Sequence, residues 1–301
     1  MSAQPMKAAY LLLVCLLSLV SAVAGADTLE RVRNTHSVVL GYVPDFAPFS
    51  TQDGDKASGY AIDLCQGIFN ALKTELNLPS LQVRYQPVGL GEETSAVSTG
   101  KVDILCTPTP ATLERRKTVS YSIPVYTAGL SAVVNKKAPN ALLKVLKGDV
   151  VKTGPTWRTD VNRALANMTY ATIAGGVTEQ WINQQIRSLG VVATLVTVQD
   201  AAAGLKRVAD GKADVFFAER TMLKHELTDK YVSGNLVLLD RIFEYSTTSM
   251  MVDRDDENFR LLVDSALSEM YRSGEIERQY DKHLGGVSDT SRMFFNLYAL
   301  P

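Results

Sequence analysis

Period-two and period-3.6 apolar patterns alternate along almost the whole chain, which leaves few architectures open. "HSVVLGYV" (36–43) reads as a strand. "YAIDLCQGIFNALKTEL" (60–76) reads as a helix: Ile62, Cys65, Phe69, Leu72 and Leu76 recur at spacings of three and four and form one apolar face, and Pro79 stops it. "LQVRYQPV" (81–88) alternates as a strand, a helix ends near Gly100, and "KVDILC" (101–106) is a further strand. Strands separated by helices pair in parallel through crossovers, so the expected class is α/β with doubly wound sheets.

The same grammar returns later. "VVATLVTV" (191–198) is a strand, "DAAAGLKRVAD" (200–210) a helix and "KADVFFA" (212–218) a strand. "TGKVDIL" (99–105) and "DGKADVF" (210–216) each run from helix end through Gly, Lys, one residue and Asp into an apolar strand. Glycine is expected after a helix because it tolerates the left-handed conformation. Two readings are open: a joint common to many α/β proteins, or two lobes of like topology, each with its own sheet of somewhat over ~100 residues. "DDENFRLLVDSALSEMYRSG" (255–274) closes the chain as an amphipathic helix, capped by Asp255 or Asp256, with a second short helix carrying Ile276, Tyr280 and Leu284. The stretch from Lys136 to Arg163 has weak periodicity and a "GPTW" turn, and reads as a loop-rich insertion.

The N-terminus differs from the rest. Lys7, the apolar run "AAYLLLVCLLSLVSAV" and "AGADT" have the order of a secretory leader, with cleavage expected after Ala26 and Asp27 as first mature residue. The apolar run is shorter than the ~20 residues needed to span a bilayer. Net charge is −1 and no basic stripe interleaves with aromatics, so nucleic acid is not an expected partner. Beyond the leader, Cys65 and Cys106 remain, and export permits a disulfide. A helix packed on its own sheet can bring them to bridging distance; two buried free thiols are the alternative. Zinc-ligand spacing, HExxH, P-loop and GxSxG are all absent from the sequence, and no metal or cofactor is expected.

In open α/β sheets ligands sit beyond the carboxyl ends of the strands. Past Cys106 lies "TPTPATLERRK", and past Phe217 lies Glu219. If two lobes face each other, Arg115 on one wall and Glu219 on the other suit a small zwitterion: Arg binds a carboxylate bidentately and Glu accepts from an ammonium. On spacing alone the alternative stands, in which Arg115, Arg116 and Lys117 form a solvated helix face and Glu219 pairs with Arg220.

"LGYVPDFAPFSTQDGDKASGYAIDL" and "GKVDILCTPTPATLERRKTVSYSIPVYTAG", followed by "TIAGGVTEQW", "GKADVFFAERTML" and "SGEIERQYDKHLGG", resemble the family 3 bacterial extracellular solute-binding proteins, nearest the glutamate/aspartate-binding branch. The resemblance implies a type II periplasmic binding protein: lobe 1 from 27–128 plus 248–301, lobe 2 from 129–247, and a ligand trapped between them by hinge closure. It implies that Arg115 clamps a ligand carboxylate, Glu219 takes the ammonium and Phe46 lies against the ligand, with Arg116 and Lys117 facing solvent. Its partners would be a small zwitterionic or anionic ligand and the membrane permease of an ABC importer, with the receptor a periplasmic monomer. Departures from the pattern are equally specific. Pro108 and Pro110 stand where head-group-binding residues are usual, Leu90 where relatives for polar and basic amino acids have an aromatic, and Val43 where the glutamate/aspartate branch has an arginine. In "AGGVTE", Gly176 and Val177 follow Gly175 in place of threonines. The resemblance thus points to a more apolar pocket, and leaves a cyclohexadienyl-dehydratase-like enzyme or an accessory or sensory protein as alternative uses of the same scaffold.

Overall fold

The computed structural model describes residues 27–54, 56–149, 160–229 and 235–301. The leader expected over 1–26 and the "GPTW" turn lie outside them. Strand β1 (Ser37–Tyr42) leads into a small antiparallel flap, β2 (Asp45–Phe46), β3 (Ser50–Asp53) and β4 (Lys56–Ser58). Helix Tyr60–Glu75, β5 (Gln82–Pro87), helix Glu93–Ser98, β6 (Ile104–Pro110), a 3-10 turn at Arg115–Lys117 and β7 (Val119–Tyr121) complete the first half. The long strand β8 (Tyr126–Asn135) crosses into the second half: helices Asn140–Lys147 and Asp160–Leu165, β9 (Thr169–Ile173), helix Val177–Leu189, β10 (Thr194–Val198), helix Ala201–Ala209, β11 (Val215–Glu219), helix Arg220–Asp229 and β12 (Leu236–Leu238). A second long strand, β13 (Glu244–Asp253), returns to the first half, where helices Glu257–Arg272, Glu275–Leu284 and Asp289–Tyr298 end the chain.

The two halves share one topology. In each, a central strand is flanked by two parallel partners, β5-β1-β6 and β10-β9-β11, and the third strand then pairs antiparallel with a crossing strand, β13 or β8. The repeated sequence joints are equivalent in space. Gly100 and Gly211 both take φ of +70°, and each following Asp reaches back to the central strand: Val39 N–H donates to Asp103 at 2.7 Å and Thr169 N–H to Asp214 at 2.7 Å. The lobe reading of the repeat therefore holds, with one difference. The halves do not have separate sheets, because β8 pairs with β13 and joins them into one hydrogen-bonded path, β10-β9-β11-β8-β13-β6-β1-β5.

Each half-sheet is covered on both faces, as parallel strands require. Val38, Leu40 and Tyr42 of β1 face a core shared with helices Tyr60–Glu75 and Glu257–Arg272, while Val39 points to a smaller cluster with Ala96, Val97 and Met251. In the second half Phe216 packs with Leu205 and Leu223, and its neighbours Val215 and Phe217 pack with Leu142 and Ile182 on the opposite face.

Two expectations are corrected. The 136–163 stretch is not simply loop: Asn140–Lys147 is a helix with Leu142 and Leu146 buried, ended by Gly148 in the left-handed region. Two turns give too few repeats for periodicity to show. Strand β6 starts at Ile104, later than expected, and runs on through both prolines to Pro110. It pairs with β1 at Ile104 and Leu105 but not beyond, so prolines that lack an N–H interrupt no ladder on that edge. Cys65, on the buried face of helix Tyr60–Glu75, and Cys106, in β6, are joined in a disulfide with Cα atoms 5.9 Å apart.

Candidate functional site

A cavity of about 390 Å³ opens between the halves, at the carboxyl ends of β6, β9 and β11. Of the nine residues expected to contact ligand, Phe46, Leu90, Pro108, Pro110, Arg115, Gly175, Gly176 and Glu219 line it. Val43 does not. Its side chain is 5% exposed and its backbone is held in a buried knot: its N–H donates to Thr107 Oγ1, and its carbonyl accepts from Ser50 Oγ, which itself lies 2.7 Å from Thr107 Oγ1.

The "LERRK" segment sorts its three cations by local geometry. Thr112 initiates the 3-10 turn, its Oγ1 accepting from Arg115 N–H. The turn then points the side chains apart. Arg116 lies over the Tyr121 ring at 5.2 Å, and Lys117 pairs with Glu114 in solvent. Arg115 is half-buried and lines the cavity, and among the described residues it makes no ion pair. Across the cavity, Gly175 at φ +73° turns the chain into helix Val177–Leu189, whose first residues, Val177 and Thr178, also line the wall. A guanidinium and the positive end of a helix thus border one space, which favours an anion.

Glu219 ends β11 and caps the next helix. Met222 N–H donates to its Oε2 at 2.8 Å and Tyr126 O–H to its Oε1 at 2.8 Å. Tyr126, in the first-half core, thereby ties the start of β8 to the second half, and its hydroxyl also lies 2.6 Å from Thr221 Oγ1. Burial pushes the Glu219 carboxyl up, against the opposing pull of the hydrogen bonds it accepts. Burial first, then the Glu219 charge, pushes the Tyr126 hydroxyl well above its ordinary range. Besides Met222 and Tyr126, the backbone N–H groups of Thr221 and Gly129 act on the Glu219 carboxylate, so the fold itself holds this group in place. Arg220 turns away and pairs with Asp240.

Phe46 packs on Phe49 at 5.9 Å between ring centroids and touches the cores of both halves. Leu90 sits at the rim, 42% exposed. The family profile of bacterial extracellular solute-binding proteins, family 3, matches residues 38–286 of the sequence. The chain belongs to that family.

Among relatives of this solute-binding protein, the L-glutamate/L-aspartate-binding protein of Pseudomonas aeruginosa is 28% identical over 272 residues, 88% of this chain and 83% of that one. Two solved structures have the same two-lobed fold. The ancestral amino acid-binding protein AncCDT-1, a precursor of cyclohexadienyl dehydratase, superposes with a TM-score of 0.68 at 21% identity, covering 86% of this chain and all of that one. The amino acid ABC transporter substrate-binding protein AbpA of Streptococcus pneumoniae gives 0.63 at 20% identity, covering 90% of this chain and all of that one.

Several lining residues escaped the sequence reading. Trp181, Gln184 and Met222 contribute to the wall, and so does Glu93, which is 6% exposed. A signal for Glu93 exists. It shares a helix face with Ala96 and Val97, three and four residues on, both buried. Among the described residues no cluster of three or more His, Cys, Asp or Glu is placed to hold a metal, and no helix is long and apolar enough to cross a membrane.

Proposed function

We propose that this chain is an amino-acid receptor of an ABC importer, exported by its leader to the periplasm, which captures ligand in the cleft as a monomer and presents it to a membrane permease. The observation that carries the reading is Arg115: a cation that lines the same cavity as Glu219 and has no carboxylate partner among the described residues. Arg115 and the N-terminus of helix Val177–Leu189 hold the ligand carboxylate, Glu219 accepts from its ammonium, and Phe46 lies along its carbon chain. Residues 27–128 with 248–301 form one lobe and 129–247 the other. Closure bends β8 and β13 near the pairing of Thr127 with Thr247 and Ala128 with Ser246. The kinship with a glutamate/aspartate-binding protein supports the amino-acid class.

A thermal-shift screen over amino acids, small carboxylates and amines tests the proposal, since a ligand bound only by the folded state raises the melting temperature. Stabilisation by an amino acid without its consumption is expected. A second reading, an enzyme for proton-assisted elimination, is favoured by one observation, the raised Glu219 carboxyl in a largely apolar cavity. Turnover of prephenate or arogenate, lost in Glu219→Gln, would establish it in place of the receptor.

A further inference from the structure

The charges on the cavity wall do not balance. Arg115 is the sole cation among the described lining residues, whereas Glu93 and Glu219 both line the same space and Glu244 lies at its exposed rim. An α-amino acid held by Arg115 and Glu219 leaves Glu93 unmatched. Glu93 is 6% exposed, and among the described residues its carboxylate has neither a hydrogen-bond nor an ion-pair partner. Ala96 and Val97, on the same helix face, are buried in the core and fix where Glu93 stands on the wall. The Glu93 oxygens are not among the sealed polar atoms, so the carboxylate is presented to the cavity, where a ligand of opposite charge can pair with it.

We propose that the ligand carries a second, distal cation, an ammonium or guanidinium, and that Glu93 receives it, so that the site takes amino acids with a cationic side chain. The proposal rests on the amino-acid reading above and narrows it. Arg115, Glu93 and Glu219 together carry a formal charge of −1, and a diamino monocarboxylic acid carries +1. Glutamate or aspartate would instead bring a second carboxylate to a wall that is already net negative. The proposal therefore separates this chain from the glutamate/aspartate-binding relative it resembles over most of its length.

Calorimetric titration of the purified protein with the standard amino acids, ornithine and norleucine tests it. Norleucine keeps the carbon chain of lysine and lacks its distal ammonium. At least one of lysine, ornithine and arginine should bind tenfold or more tighter than both norleucine and glutamate. In Glu93→Gln the preference for that cation over norleucine should shrink by tenfold or more. If glutamate or norleucine binds as tightly as every cationic amino acid, or if Glu93→Gln keeps the full preference, the inference falls and the amino-acid reading stands. If no amino acid of any charge binds, the amino-acid reading falls and takes this inference with it. The wild-type ratios decide alone should Glu93→Gln fail to fold.

Discussion

Arg115 and Glu219 have different relations to the fold, and this separates what their substitution should do. Arg115 has no ionic partner among the described residues, so Arg115→Ala should leave the melting temperature of the ligand-free protein nearly unchanged. Ligand affinity should fall by on the order of 3 kcal/mol, because a desolvated carboxylate loses its charge partner; calorimetry and thermal unfolding check the two halves of the claim. Glu219 is built into the fold through Met222 and Tyr126, and its carboxyl is raised by burial. The native state then holds the proton more tightly than the unfolded chain. This stabilisation is fully present below the ordinary glutamate range and is lost as pH rises through the raised native value. Urea unfolding between about pH 4 and 8 should show that component of the slope in wild type and not in Glu219→Gln. That Arg115 and Glu219 border one cavity was legible from the strand ends taken together with the family resemblance, and not from spacing alone. Val43 was misplaced because position in a motif says nothing about side-chain direction, and here Thr107 and Ser50 fix the local backbone. Glu93 was missed because its one signal, the face shared with Ala96 and Val97, lies in a six-residue helix too short for periodicity to show.

The elements most visible in the sequence were those with several repeats of one period. Helices Tyr60–Glu75 and Glu257–Arg272 show their buried faces in full, whereas Asn140–Lys147 is too short to do so. The equivalence of "GKVD" and "GKAD" was visible, but not its cause, which is the Asp-to-backbone bond that pins each third strand to its central strand. The Cys65–Cys106 bridge adds a covalent tie between helix Tyr60–Glu75 and β6, the strand that leads to Pro108, Pro110 and Arg115. It spans a sequence separation of 41, for which loop-closure entropy gives about 3–4 kcal/mol of stabilisation. The double variant Cys65→Ala/Cys106→Ala should lose stability of that order in urea unfolding. A loss under about 1 kcal/mol would show that the unfolded chain is little constrained by the bridge.

At the scale of the whole molecule, the decisive fact is that two separately packed cores are joined through β8 and β13, with the cavity between them. Two crossing strands can bend together at low cost, because the cores on either side need not repack. Across the cleft, however, Phe46 already touches the second-half core and Tyr126 already bonds Glu219, so closure has fixed points about which to turn. On the proposed reading, ligand that bridges Arg115 and Glu219 binds both lobes at once and favours the closed arrangement over the open one by the difference in its affinity for the two. Saturating ligand should therefore lower the radius of gyration measured by small-angle X-ray scattering. At about a thousandfold excess over Kd it should raise unfolding stability by about 4 kcal/mol. Arg115→Ala at equal ligand occupancy should show a smaller contraction, since one lobe has lost its charged grip. Contraction in the wild type identical to that in the variant would mean that closure is driven elsewhere than at the two charged walls.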